Sequence, residues 1–327
     1  MSRSIHRRTF LTGAAALAVA ATAPAAVAAT GPRISTAFAL PGDRAYPEGI
    51  ALDARTRDAY VGSYTTGAVY RAAAGRRTAE VFLPAGADGR TTANGLKVDR
   101  AGRLWVIDST AGIDVYDLRD RSLAARFEVP AGAARFVNDL VITADGTAYA
   151  TDSVRPVIYR VTPDEVTRAR GGRAPLTERY DLSSAVPPHQ SGAYTLNGIA
   201  ADPTGRLLFA VDMTGGGLYR VHTGTGSVRQ VTLEGGDLVN GDGLEVHRRT
   251  LWAAHNATNT LTRWELSPDG TTARLRRRLT DPALQIPTTL AHTREGLLVV
   301  RSQFDKGGPM GSGVPQTPFT VARVTGL

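Results

Sequence analysis

One pattern recurs six times along the chain and restricts its fold more than any other feature. A polar residue, usually followed by glycine, opens a short apolar stretch; a tight turn and a second apolar stretch follow. The copies begin at Glu48-Gly49-Ile50, Asn94-Gly95-Leu96, Asn138-Asp139-Leu140, Asn197-Gly198-Ile199, Asp242-Gly243-Leu244 and Thr289-Leu290-Ala291, at intervals of 46, 44, 59, 45 and 47 residues. Turns such as Asp99-Arg100-Ala101-Gly102 and Asp202-Pro203-Thr204-Gly205 join the first two stretches as short hairpins. A third stretch (residues 113–116, for example) follows in each copy, and then a more polar fourth (126–129, for example) in all but the last. The local hydrophobic period is two rather than 3.6, which predicts strands and excludes a helical solenoid. Four strands in a period of this length predict an all-β, six-bladed β-propeller with four-stranded antiparallel blades. The last copy supplies only three strands. Residues 34–40, which precede the first copy, are expected to be the missing outer strand, closing the last blade and covering an open edge. Two insertions, 162–190 and 305–318, interrupt the rhythm.

The first residues stand apart. Arg7-Arg8-Thr9-Phe10-Leu11 precedes an alanine-rich stretch that ends near Ala26-Val27-Ala28, the pattern of a twin-arginine signal peptide. The expected division is a leader over 1–28 and one domain over 29–327. The mature chain is then secreted or extracytoplasmic, with no stable membrane insertion after cleavage. The sequence has no cysteine, so disulfides, thiolate nucleophiles and cysteine-bound metals are excluded. The net charge of +8 comes from arginines scattered over turns and outer strands. It forms no basic stripe with stacking aromatics, which argues against a nucleic-acid partner. A monomer acting on a small molecule is expected.

In a propeller the first strands of all blades run in parallel along one axis, so Glu48, Asn94, Asn138, Asn197, Asp242 and Thr289 are expected to meet at one mouth. Acid and amide residues before glycine also serve simple turn chemistry. Glu48, which is not a turn former, occupies the same register. Two carboxylates facing each other in a narrow channel repel unless protonated or bridged by a cation. Oxygen-only ligands favour Ca²⁺, then Mg²⁺, with Mn²⁺ or Zn²⁺ as lesser alternatives. On the loops of the same mouth, His189, Tyr194, His255 and Phe304 are candidates for a pocket wall. Asp139 is a candidate support for a ligand or a strand-start hydrogen bond. No serine sits on a nucleophile elbow.

The segments Pro47-Glu48-Gly49, Phe136-Val137-Asn138-Asp139, Leu196-Asn197-Gly198 and Gly241-Asp242-Gly243-Leu244 resemble the metal-binding strand starts of the senescence marker protein/gluconolactonase family of calcium-dependent propellers, related to diisopropylfluorophosphatase. The resemblance implies Glu48, Asn138, Asn197 and Asp242 as metal ligands, with Asp242 also the catalytic residue and Asn94 lining the channel. Arg135 is the nearest match to that family's substrate arginine, offset by Val137. The implied activity is an exported, metal-dependent hydrolase of a small lactone or ester. The alternative is a noncatalytic, metal-stabilised propeller that binds a ligand or protein.

Overall fold

The fold is described by a computed structural model over Met1 and residues 31–130, 132 and 134–327. Apart from Met1, the expected leader lies outside the described residues. The strands form where the sequence alternates, and the second strand of each copy is almost wholly buried. Arg103–Asp108 (RLWVID) and Leu207–Asp212 (LLFAVD) are buried along nearly their whole length, because the sheets pack face against face on both sides. One cluster joins Trp105, Val115 and Phe127 of one sheet to Leu140, Ala148 and Tyr159 of the next. Farther from the axis the pattern turns polar, as in Thr272–Thr280 with Arg276, Arg277 and Arg278.

The expectation of six separate four-stranded blades is corrected. Backbone hydrogen bonds divide the described strands into five sheets: four of four or five strands, and one of eight. The copies beginning at 197 and 242 are a single sheet, because their outer strands Val228–Glu234 and Thr272–Thr280 pair in parallel over Thr232–Glu234 and Thr272–Arg274. Both outer strands are long enough to overhang their neighbours. An overhanging edge of free N–H and C=O groups pairs with whatever extended chain lies beside it. The first and last strands of this sheet, Leu196–Ala201 and Gly241–His247, also approach each other at the axis, where the position of a Cβ on Gly198 lies 2.1 Å from the Asp242 carbonyl oxygen. The sheet therefore curls back until it is nearly closed. The result is propeller-like, with four small sheets and this larger one.

The insertion at 162–190 knits a second edge. Thr162 and Glu165 form a reciprocal capping box on the short helix Pro163–Arg168. The chain then returns as Arg173–Pro175, parallel to Leu123–Glu128. The strand Arg33–Ala39 pairs with Thr320–Thr325, so the first described strand completes the sheet of the last. Residues Gly31–Leu327 form one compact unit.

Candidate metal centre

Four of the inner strands open with a register shift, at Pro47/Ile50, Val137/Leu140, Leu196/Ile199 and Gly241/Leu244. A bulge at the start of a strand re-aims one side chain, and here that residue is Glu48, Asn138, Asn197 or Asp242. The glycine after the polar residue is required by close approach rather than by a turn. A Cβ on Gly49 would stand 2.1 Å from the carbonyl oxygen of Asn94, one on Gly95 2.9 Å from that of Asn138, and one on Gly243 2.8 Å from that of Thr288. These contacts, with the Gly95 N–H donating to Asn138 O at 3.0 Å, the Thr151 hydroxyl to Asn197 O at 2.5 Å, the Gly243 N–H to Thr288 O at 2.6 Å and the Thr288 hydroxyl to Glu48 O at 2.7 Å, link the six strand starts in a circle.

The circle places Thr288, not Thr289, in register with Glu48 and Asp242. Thr289 is buried at the position the glycines hold elsewhere. It pairs through its carbonyl with the Val300 N–H, as Gly95 does with Ile107.

Glu48, Asn94, Asn138, Asn197 and Asp242 are all 2–6% exposed. Several are tethered from behind. The Asn138 amide donates to Ser153 Oγ at 2.8 Å, and Ser153 donates in turn to Leu196 O at 2.6 Å. The Asn197 amide lies 3.3 Å from Met213 Sδ, and Asn256 donates to Asp242 Oδ2 at 2.7 Å. What remains unsatisfied is all of one kind: Glu48 Oε2, Asn94 Oδ1, Asn138 Oδ1 and Asn197 Oδ1 are buried oxygens without a hydrogen-bond partner. A buried acceptor left unpaired costs about 1–3 kcal/mol, so four at one place call for a shared positive partner. The donors fit a hard cation. Among the described residues no group of three or more His, Cys, Asp or Glu side chains is placed to hold a metal. The centre would rest on two carboxylates and amide oxygens.

The electrostatics agree. Burial, then the charges of Asp242 and Asp139, raise the Glu48 carboxyl well above its ordinary range, against a lowering by Lys97. Asp242 is pushed up to about 8, chiefly by burial and further by Asp139, although the amides of Asn256 and Asn197 pull it down. Asp139 is raised by burial. Its carboxylate accepts from the N–H groups of Leu140 at 2.8 Å and Ile199 at 3.4 Å, tying two inner strands together.

The remaining candidates occupy distinct places. Phe304 is buried and packs on Tyr64 at 5.3 Å, while Tyr194, 43% exposed, packs on Phe136 at 5.2 Å. Tyr64 feels both Tyr194 and Glu48, so these two aromatic pairs border the approach to the ring. His189 Nε2 sits 2.8 Å from Asp212 Oδ1, and Asp212 also caps the turn at Gly215. His255 is buried with both nitrogens engaged, Nδ1 with Val239 O and Nε2 with the Thr262 hydroxyl. Arg135 donates to Thr110 O and lines a groove with Glu128 and Arg173. Sequence reasoning missed Thr288, Tyr64, Asn256 and Ser153. Asn256, which directly follows the second strand of its copy, was the one with a positional signal.

No protein-family profile matches the chain, and no curated protein sequence does. Among solved structures, a gluconolactonase from Xanthomonas campestris superposes with TM-score 0.63 at 19% identity, covering 90% of this chain and 89% of its own. The Malassezia sympodialis allergen Mala s 1 gives TM-score 0.61 at 15% identity, covering 86% and 93%. A streptogramin B lyase gives 0.56 at 13%, covering 90% and 97%. The expected membership of the senescence marker protein/gluconolactonase family is corrected accordingly. The likeness is one of fold, and a lyase and an allergen share it with the gluconolactonase.

Proposed function

We propose that the chain binds one divalent cation, Ca²⁺ by preference, through Glu48, Asn138, Asn197 and Asp242 with Asn94 beside them, and hydrolyses a small lactone or ester above it. The observation that carries this reading is the set of four partnerless buried oxygens facing one axis beside a second carboxylate. A bound divalent ion supplies Lewis acidity toward a carbonyl oxygen and acidifies water. The chain's own groups do the rest. Asn256 donates to Asp242 Oδ2 and so orients the carboxylate that would take a proton from an attacking water. Tyr64, Phe304, Phe136 and Tyr194 provide apolar walls that orient a small uncharged substrate and exclude bulk water. Several of the solved structures with this fold are enzymes, among them the gluconolactonase and the streptogramin B lyase. Export through the twin-arginine route fits the reading, because extracellular modules work with weak calcium sites, of Kd about 10⁻⁴–10⁻³ M.

The test is calorimetry on chelator-stripped protein with Ca²⁺, Mg²⁺, Mn²⁺ and Zn²⁺ in turn, followed by turnover of a panel of lactones and aryl esters with each ion. Saturable binding of one ion and turnover that Asp242→Ala abolishes in a folded protein are expected. Binding without turnover across the panel would leave a structural ion and remove the hydrolase. Absence of binding would remove both.

A further inference from the structure

Behind the ring of strand starts stands a second row of side chains, set by the same register. Two residues after the ring position, Leu140 pairs with Ala150, Ile199 with Ala210 and Leu244 with Ala253. Three residues beyond those partners come Ser153, Met213 and Asn256, and each touches the ring residue of its own copy. The other copies place Tyr64, Ser109 and Ser302 there. Ser153 and Asn256 make their contacts through oxygen and nitrogen. Met213 uses sulfur: Asn197 Nδ2 donates to Sδ at 3.3 Å, and a thioether is a weak acceptor. The Met213 backbone is fixed on both sides, its N–H donating to Thr195 O at 2.8 Å and its carbonyl accepting from the Asn240 N–H at 2.9 Å. Only the side chain can give way. The residue is partly exposed and leads into the exposed Thr214 and Gly215. Sulfur is scarce in this chain, which has no cysteine and three methionines. Met1 belongs to the expected leader, and Met310 is 45% exposed on the 305–318 loop.

We propose that Met213 is an oxidation site that controls the ring: a hydroperoxide converts its thioether to the sulfoxide, and calcium binding weakens until the sulfoxide is reduced. In that step the sulfur lone pair takes one peroxide oxygen and the O–O bond breaks. Sulfur is oxidised by two electrons, and the other oxygen leaves as water or an alcohol. The proposal rests on the cation site above for its effect on calcium, but not for the contact between Met213 and Asn197. An N–H···O bond by itself takes about 2.7–3.2 Å. A sulfoxide oxygen therefore has no room between Sδ and an amide nitrogen 3.3 Å away. Either the amide turns or the methionine swings out, and Asn197 Oδ1 loses its aim in both cases. Ser153 and Asn256, in the same register, are inert to peroxide, so the sensitivity is confined to one tether of the ring.

The test treats chelator-stripped protein with hydrogen peroxide, locates the sulfoxides by peptide mass spectrometry, and measures calcium affinity by calorimetry before and after. Oxidised wild type is expected to bind calcium about 10–100-fold more weakly, the usual effect of losing a partner behind a metal ligand. Methionine sulfoxide reductases are expected to restore the affinity. Met213→Leu, which keeps the volume, should bind calcium equally before and after peroxide, whereas Met310→Leu should lose affinity as the wild type does. A Met213 that stays reduced while Met310 oxidises, a Met213 sulfoxide with unchanged affinity, or an equal loss in Met213→Leu would overturn the proposal. If untreated wild type binds no calcium, the cation reading fails by itself. The tether is then read from thermal unfolding in chelator. A drop of several degrees on oxidation that Met213→Leu does not show sustains Met213 as the oxidation-sensitive support of Asn197, and no drop overturns that as well.

Discussion

Glu48 and Asp242 hold carboxyl groups where water cannot solvate them, and the charge of Asp242 raises the proton affinity of Glu48 further. The consequence for stability has a definite sign. A carboxyl whose folded pKa lies above its unfolded value binds more protons when folded, so stability is highest at low pH and falls as pH rises between the two values. For Asp242 that window runs from the ordinary 3.8 to about 8, and Glu245, pushed up to about 7 mainly by burial, adds to it. Chelated protein is therefore expected to lose melting temperature steadily from pH 5 to pH 8, and saturating Ca²⁺ is expected to flatten the slope by replacing the protons. A chelated protein whose melting point rises over that range would contradict the buried pair. Asn256 offers a second handle. It touches Asp242 rather than the axis, and partners of that kind typically change metal affinity about 10–100-fold when removed. Asn256→Ala should weaken calcium binding by that factor in calorimetry while leaving the ion count unchanged.

The inner strands show what a sequence can and cannot disclose. The polar-glycine openings at Glu48, Asn94, Asn197 and Asp242 were visible because two demands coincide there: an oxygen aimed at the axis, and no side chain behind it. The last copy has neither acid, amide nor glycine, only an apolar run after two threonines. Alternation alone points to Thr289 as its start, one residue beyond the Thr288 that holds the ring position. The union of two copies into one eight-stranded sheet was hidden for another reason, since it depends on how far Val228–Glu234 and Thr272–Thr280 overhang, and alternation alone carries no length in space. The close approach of the strand starts gives a sharp prediction. A Cβ on Gly198 would lie 2.1 Å from a backbone oxygen that cannot swing away, whereas one on Gly172 meets nothing nearer than 3.5 Å. Gly198→Ala should cost about 3 kcal/mol or more in denaturant unfolding, as overpacking of a rigid core does, and Gly172→Ala should stay within about 0.5 kcal/mol.

Closure turns this row of sheets into one cooperative body. The strand Arg33–Ala39 is hydrogen-bonded to Thr320–Thr325, Leu40 donates to Phe319 O at 2.8 Å, and Ala39 and Ala79 reach across to the neighbouring sheet through Arg77 O and Ala39 O. Arg301, itself buried, donates to the hydroxyls of Thr36 and Thr320 and clamps the two ends of the chain together. Phe38 and Leu40 are 4% and 1% exposed and belong to the same apolar cluster as Ile50, Val61, Val300 and Val321, so the first strand packs against both the first and the last copies. If the ends merely rested on a structure that was stable without them, trimming Phe38 would fray the first strand and leave the main transition in place. If the strand is the fastener, the whole molecule carries the loss. Phe38→Ala is expected to lower stability by about 3–5 kcal/mol, the cost of a large cavity in a packed core, and to do so in one transition that calorimetry and near-ultraviolet circular dichroism report at the same midpoint. An early loss of the first strand followed by an unshifted main transition would show that the sheets hold together without it.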